Sequence, residues 1–424
     1  MLVYFKVGNY KSIKDPILIN FSAAAIGEHQ DTNIYAKNKE ELLKTVLLYG
    51  SNASGKSKIM DAFVFFRWSI INSATDKQSK QPIDTEPFLL NTRTRKQPSY
   101  FEAEFLINKT KYRYGFEADA KSIQKEWLLE VKATTSNPLF LRIDQKFEIN
   151  EAKFPDGIGL DKRTRKNALF LSVAAQWNTR LGEQIVSWFD SIYTVHGMMD
   201  DDYKNLTTSM LKESNYAKLI NELIQKADLG INGIDALDIS ELKEEILDKI
   251  PPELREEFKE RMERDMKPVF ATHNVYDDHG KIVEQQPFSM AGVESEGTRK
   301  FYNLSGVLTD AVLNGRLVVI DELDARLHTL LTRAIIQLFN SNKIKTEAQL
   351  FAVSHDTALL DKDLLRRDQI YFVEKDQFGA TKVQTLVGYK ARKEAPYDKN
   401  YLEGKYGAIP FIENLETVLA DGEE

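Results

Sequence analysis

Apolar and polar positions alternate most clearly from residue 100 to 107, where Phe101, Ala103, Phe105 and Ile107 fall on one side and Glu102 and Glu104 on the other. That period of two marks a half-buried strand. Asn108-Lys109-Thr110 turns the chain, and 111–116 alternates again through Tyr112, Tyr114 and Phe116. With further strands expected over 126–133 and 139–149, the region reads as an antiparallel meander. From 180 to 267 the period becomes helical. Ile185, Val186, Trp188, Phe189 and Ile192 form one stripe, and 211–227 forms a second helix. Residues 241–250 and 252–267 are charge-rich with few apolar positions, the pattern of solvated helical faces, with a partner-docking surface as the alternative. A hairpin follows over 269–276 and 281–288, turning at Asp277-Asp278-His279-Gly280. Three short runs (46–49, 317–320 and 350–353) are apolar throughout, as buried strands are. Two more strands are expected over 369–373 and 381–387, with a turn near Gly379. No internal repeat is present.

Composition narrows the class. The chain has 424 residues, 42% hydrophobic and 29% charged, which suits a globular chain of two or three lobes. No apolar run approaches the roughly 18–20 residues that span a bilayer, and the opening MLVYFKVGNYKSIKD lacks a signal-peptide layout. The absence of cysteine excludes disulfides and thiolate-held metals and favours a cytoplasmic setting. A net charge of −7 argues against a dedicated DNA coat protein. Two basic loops, Arg93-Thr94-Arg95-Lys96 and Lys162-Arg163-Thr164-Arg165-Lys166, read either as solvated charge or as phosphate-contacting patches. Neither has the interleaved aromatics of a single-strand binder.

The chemistry begins at Gly50-Ser51-Asn52-Ala53-Ser54-Gly55-Lys56-Ser57, which fits GxxxxGK[ST] at every fixed position. An apolar strand precedes it and an apolar-periodic helix over 59–71 follows, the context this phosphate loop requires. Its glycines let backbone N–H groups close around phosphate oxygens. Lys56 is placed to reach the β- and γ-phosphates and Ser57 to ligate Mg²⁺. Far downstream, Glu294-Ser295-Glu296-Gly297-Thr298-Arg299-Lys300 opens a helix running to about Asn314. Ser295 and Gly297 there could hold a γ-phosphate, or Ser295 could simply cap the helix. One helix later, the buried run 317–320 ends in Asp321 and Glu322, one carboxylate suited to Mg²⁺ and the next to polarising a water. The strand over 350–353 ends in Ser354-His355-Asp356, where His355 could sense the γ-phosphate and orient that water.

This ordered set resembles the ABC-type ATPases. The signature is similar to the SxG core of RecF, SMC and related repair ATPases rather than the LSGGQ of transporters. The segment from Asp321 to His328 resembles their acidic strand end running into a D-loop, with His328 where SMC proteins usually have Asp. Such proteins leave the meander on a strand ending in glutamine. Residues 168–173 followed by Gln176 take that place, which adds Gln176 to Ser57 and Asp321 as Mg²⁺ ligands. The stretches FKVGNYKSIKD, Pro87-Phe88-Leu89-Leu90, SEGTRK and YLEGKYGAIP narrow the resemblance to stand-alone AAA/ABC-type ATPases of abortive-infection and phage-defence loci, of the AbiLi and RloA kind.

The resemblance implies an α/β P-loop NTPase of ABC type with a β-meander and an inserted helical lobe. Three regions are expected: 1–178, an N-terminal ATPase lobe; 179–267, a helical insertion; and 268–424, a C-terminal ATPase lobe. It implies ATP and Mg²⁺ as cofactors, with Glu322 and His355 catalytic. It also implies a homodimer, or a higher homo-oligomer, in which Ser295 and Gly297 act in trans. No sustained heptads lie between Lys56 and Ser295, so the long coiled coil of SMC proteins is not expected. The 69 residues after His355 are too few for the nuclease fused to OLD-type relatives. The implied role is that of a sensor or regulator of a separate effector, a nuclease or toxin. A RecF-like DNA-repair ATPase and a nucleotide-dependent scaffold with little turnover stay open. So does contact with nucleic acid; a membrane is not expected.

Overall fold

A wholly apolar strand needs apolar neighbours on both faces, and the computed structural model shows where they come from. It describes residues 1–37, 40–75, 81–132, 135–199, 203–236 and 269–410. The charge-rich helices expected over 241–250 and 252–267 lie outside these. The central sheet has six strands, in the order β11 (Tyr193–His196), β15 (Leu317–Asp321), β16 (Gln349–Val353), β5 (Thr45–Tyr49), β17 (Ile370–Lys375) and β18 (Thr381–Thr385). The first five run parallel, and β18 closes the edge antiparallel to β17. Side chains along each strand go alternately to two cores. Val46, Leu48, Val319, Phe351, Val353 and Val373 join one with Phe5, Phe63, Phe66 and Phe101. Leu47, Tyr49, Val318, Ile320, Leu350 and Phe372 join the other with Leu304, Leu308, Ile336 and Phe339.

The first core is roofed by α1 (Lys56–Asn72) and a seven-stranded antiparallel sheet, in the order β10 (Lys146–Ile149), β9 (Ser136–Ile143), β8 (Ile123–Val131), β7 (Thr110–Ala118), β6 (Ser99–Ile107), β1 (Leu2–Gly8) and β2 (Ile17–Asn20). The meander is therefore extended by the N-terminal pair, and the run expected over 139–149 is split at Asp144, whose φ is 51°. Asn108 and Lys109 have φ of 48° and 71° and join β6 to β7 as a two-residue turn that matches strand twist. The second core is covered by α4 (Lys204–Met210), α5 (Ser214–Lys226), α6 (Glu296–Asn314) and α7 (Thr329–Asn340). β3 (Ile34–Lys37) pairs with β4 (Glu40–Leu43), and α8 (Tyr397–Leu402) packs near the end of the described chain.

Two expectations change. The apolar run over 168–173 is not a strand: α2 (Phe170–Gln176) is helical. A short run buried on all sides has no periodicity to separate helix from strand. What decides here is remote in sequence. The Glu126 carboxylate accepts from Phe170 N at 2.7 Å and Leu171 N at 3.0 Å, satisfying N–H groups that a helix start leaves open. The stretch read as helical from 180 also contains more than helices. After α3 (Arg180–Asp190), β11 joins the central sheet beside β15, and β12 (Gly233–Ala236) adds a third strand to the expected hairpin of β13 (Val269–Tyr276) and β14 (Ile282–Ser289).

Candidate nucleotide site at the carboxyl edge of the central sheet

Parallel strands gather their carboxyl ends on one edge, where α/β sheets bind ligands. Here β5 ends in the phosphate loop, β15 in Asp321 and Glu322, β16 in Ser354 and His355, and β17 in Glu374 and Lys375. The loop's backbone alternates in hand: Ala53 has φ 62° and Gly55 φ 109°, the arrangement that turns successive N–H groups into an anion-holding concavity. A Cβ at Gly55 would stand 2.1 Å from Thr381 Oγ1, and one at Gly50 2.2 Å from Val373 O. Lys56 is 4% exposed, and its Nζ donates to Gly50 O at 2.8 Å and Ser51 O at 2.9 Å. Burial pulls its ammonium down to about 8, opposed by Asp321, Asp324 and Glu322.

Asp321 stands near Ser57, whose hydroxyl favours its charged form. Burial nevertheless raises the Asp321 carboxyl above the ordinary range, and the neighbouring Glu322 charge adds to the rise. Its buried Oδ1 has no hydrogen-bond partner. An orphaned carboxylate oxygen beside a serine hydroxyl fits Mg²⁺, which prefers one or two protein oxygens plus phosphate and water. Gln176 does not join them: it is exposed at the end of α2. It does not line the cavity of the phosphate loop, and the element carrying it is a helix and not the expected strand.

Glu322 and His355 line the same ≈ 530 Å³ cavity as Asn52 through Lys58. Glu322 has φ 56°, an unusual backbone for a residue with a side chain. The His355 backbone N–H is shared between Asp324 Oδ1 and Oδ2, 3.1 Å from each. Burial, together with nearby Lys56, lowers the imidazole below its ordinary value and favours the neutral ring. Neutral His355 can both give and take a hydrogen bond.

Ser295 and Gly297 stand elsewhere. Ser295 caps α6, its Oγ accepting from Thr298 N at 3.1 Å. A Cβ at Gly297 would stand 2.7 Å from Arg326 O. Neither lines the cavity of its own phosphate loop. Three lining residues escaped sequence reading, Ser12, Lys58 and Lys375. Lys375 had a signal: it ends an apolar strand in a charged pair, as Glu322 does. Ser12 sits in the turn between β1 and β2, and only the fold brings it near, through Thr381, 2.8 Å from its Oγ. In the basic loops, Arg163 stacks on Trp177 at 3.9 Å and Arg165 donates to Ala74 O at 2.9 Å, while Arg93, Arg95 and Lys96 are exposed.

No curated protein matches the chain. Among solved structures, the SMC head domain from Thermotoga maritima is 13% identical, covering 91% of this chain and 98% of that one, with a TM-score of 0.42. The SMC head bound to the C-terminal winged-helix domain of ScpA is 12% identical over 91% and 97%, TM-score 0.43. An SMC head with extended coiled coil bound to the C-terminal domain of ScpA, from Pyrococcus furiosus, is 13% identical over 91% and 96%, TM-score 0.39. The family profile described as "AAA domain, putative AbiEii toxin, Type IV TA system" matches residues 46–361. That span holds the phosphate loop, Asp321, Glu322 and His355, and the chain belongs to this family of AAA-domain ATPases.

Proposed function

We propose that the protein binds ATP with Mg²⁺ and hydrolyses it. The observation that carries this reading is the orphaned Asp321 Oδ1 beside Ser57, with Glu322 and His355 in the same cavity as the loop. Loop N–H groups and Lys56 hold the phosphates, and Ser57 and Asp321 hold the metal. Bound there, Mg²⁺ would neutralise phosphate charge. Glu322 orients the attacking water and takes its proton, and neutral His355 hydrogen-bonds the γ-phosphate side. Glu322→Gln keeps shape but removes the base, so AMP-PNP binding should persist while turnover falls on the order of 10²-fold. Near-normal turnover in that variant would refute the assignment.

Ser295 and Gly297 lie outside the cavity of their own loop, which supports their acting across a two-fold dimer on a partner's nucleotide. Mixed dimers of Lys56→Ala and Ser295→Arg chains regain one intact composite site under this reading. Verified mixed dimers with no more turnover than either parent count against it. The family description speaks of a toxin–antitoxin system. With it, we read the dimer as a sensor or regulator of a separate nuclease or toxin in anti-phage defence. The two nucleotide states would be read by a partner that binds them unequally, on a surface within residues 211–267. A pull-down of the tagged chain from its native operon tests this: a partner retained in one nucleotide state supports it. Metal-dependent nuclease activity in the chain alone, abolished by a point mutation in it, refutes it.

A further inference from the structure

Glu322 adopts a left-handed backbone without being glycine, asparagine or aspartate, so its surroundings must hold it there. The hold comes largely from α6. Lys300, 1% exposed, sends its ammonium into the loop after β15. Nζ donates to Glu322 O at 3.2 Å, Leu323 O at 3.3 Å and Ala325 O at 2.5 Å. Two further contacts grip the same loop from the same helix. The Gly297 backbone lies against Arg326 O, and Arg326 Nε reaches Glu296 Oε2 at 3.4 Å. The other side is fixed by the sheet: Leu323 N donates to Val353 O at 2.9 Å and Gly197 N to Asp321 O at 2.7 Å.

Carbonyls that converge on one ammonium are held in a common orientation. When three of them lie within four consecutive residues, the turn they form is held with them. The side chain that leaves this turn toward the phosphate loop is Glu322. A flexible lysine stem would not fix a geometry in water, but this one is buried, and its ammonium is held by three converging carbonyls where water does not compete for it.

We propose that Lys300 is a positioning residue for hydrolysis. It sets the backbone turn that aims the Glu322 carboxylate into the nucleotide cavity. It also makes the first turns of α6 and the Glu322 loop move as one body. This rests on the reading of Glu322 as the base. If Ser295 and Gly297 serve a partner's site, Lys300 links the signature given to one nucleotide to the base acting on the other, within a single chain.

The test compares Lys300→Met, which keeps the stem and loses the ammonium, with Glu322→Gln and the double variant. Lys300→Met should leave the Kd for AMP-PNP with Mg²⁺ and the KM for ATP within about twofold, with thermal unfolding still cooperative, and lower kcat at least about tenfold. In the Glu322→Gln background it should add little, because both changes act through one carboxylate. Wild-type kcat in Lys300→Met, or a fully multiplicative loss in the double variant, overturns the proposal. If Glu322→Gln keeps its turnover, the base assignment fails instead. Should the methionine variant not fold, Lys300→Gln retains N–H donors at shorter reach. It should show the same split with a smaller, severalfold loss, and wild-type kcat there overturns the proposal equally.

Discussion

Raising the pH should loosen nucleotide binding by discharging Lys56. Burial draws this ammonium down to about 8, even with Asp321, Asp324 and Glu322 pulling the other way. A bound polyphosphate adds negative charge beside it and restores the protonated form. Binding and protonation are therefore linked. At pH 8 about half the free chains carry a neutral lysine, so each takes up about half a proton on binding AMP-PNP, rising to about 0.9 at pH 9. Because the charged form binds, the apparent Kd should rise about tenfold from pH 7 to pH 9. Calorimetric titrations at pH 7, 8 and 9, in buffers of different ionisation enthalpy, read both quantities. Lys56→Arg cannot discharge and should lose the proton uptake and the pH slope, whatever its absolute affinity. A flat Kd over this range, with no proton uptake at pH 8 or above, would refute the reasoning.

His355 should shape the acid limb. With its imidazole lowered below the ordinary value by burial and Lys56, turnover should fall as pH drops through that depressed value, and His355→Gln should remove that limb from the kcat profile. The same shift costs folding stability as pH falls below about 6.5, since the unfolded imidazole protonates first. Gly55→Ala should weaken AMP-PNP binding at least about tenfold, because a side chain at φ 109° meets Thr381 Oγ1 at 2.1 Å and the loop must move to admit it. Glu126→Ala should destabilise the fold by about 3–5 kcal/mol in chemical denaturation. It strips a buried carboxylate from Arg142, Tyr114 OH and two N–H groups of α2. Adding Arg142→Met should recover much of that loss.

What could be read from the sequence was whatever carries its own local reason. The phosphate loop needs glycines at fixed spacing. Asp321 and Glu322 end an apolar run, and the meander strands alternate because one face is buried. What could not be read depends on partners distant along the chain. Residues 170–173 are helical, their first N–H groups taken by Glu126, more than forty positions earlier. β11 is a short edge strand whose only sign is its pairing with β15. Gln176 was placed on that expected strand and instead stands exposed at the end of α2. Ser12, Lys375 and the grip of Lys300 on the Glu322 loop exist only once β1, β17 and α6 are laid against the central sheet.

The link between α6 and β15 bears on where Ser295 and Gly297 stand. Only Gly315, with φ 68°, and Arg316 separate them, so the helix must run back along the sheet and its start must lie toward the carboxyl edge. From Lys300 to Asn314 the helix spans about 21 Å at 1.5 Å per residue. The five residues of β15 cover about 17 Å. Lys300 therefore stands level with the strand's end, where it meets the carbonyls of Glu322, Leu323 and Ala325. Ser295 and Gly297 lie a further turn out, beyond the edge of the sheet and beside Arg326. A capped helix start carried past the edge that holds its own phosphate loop is poorly placed to serve that loop. The same register that gives Lys300 to the base thus supports giving Ser295 and Gly297 to a neighbour.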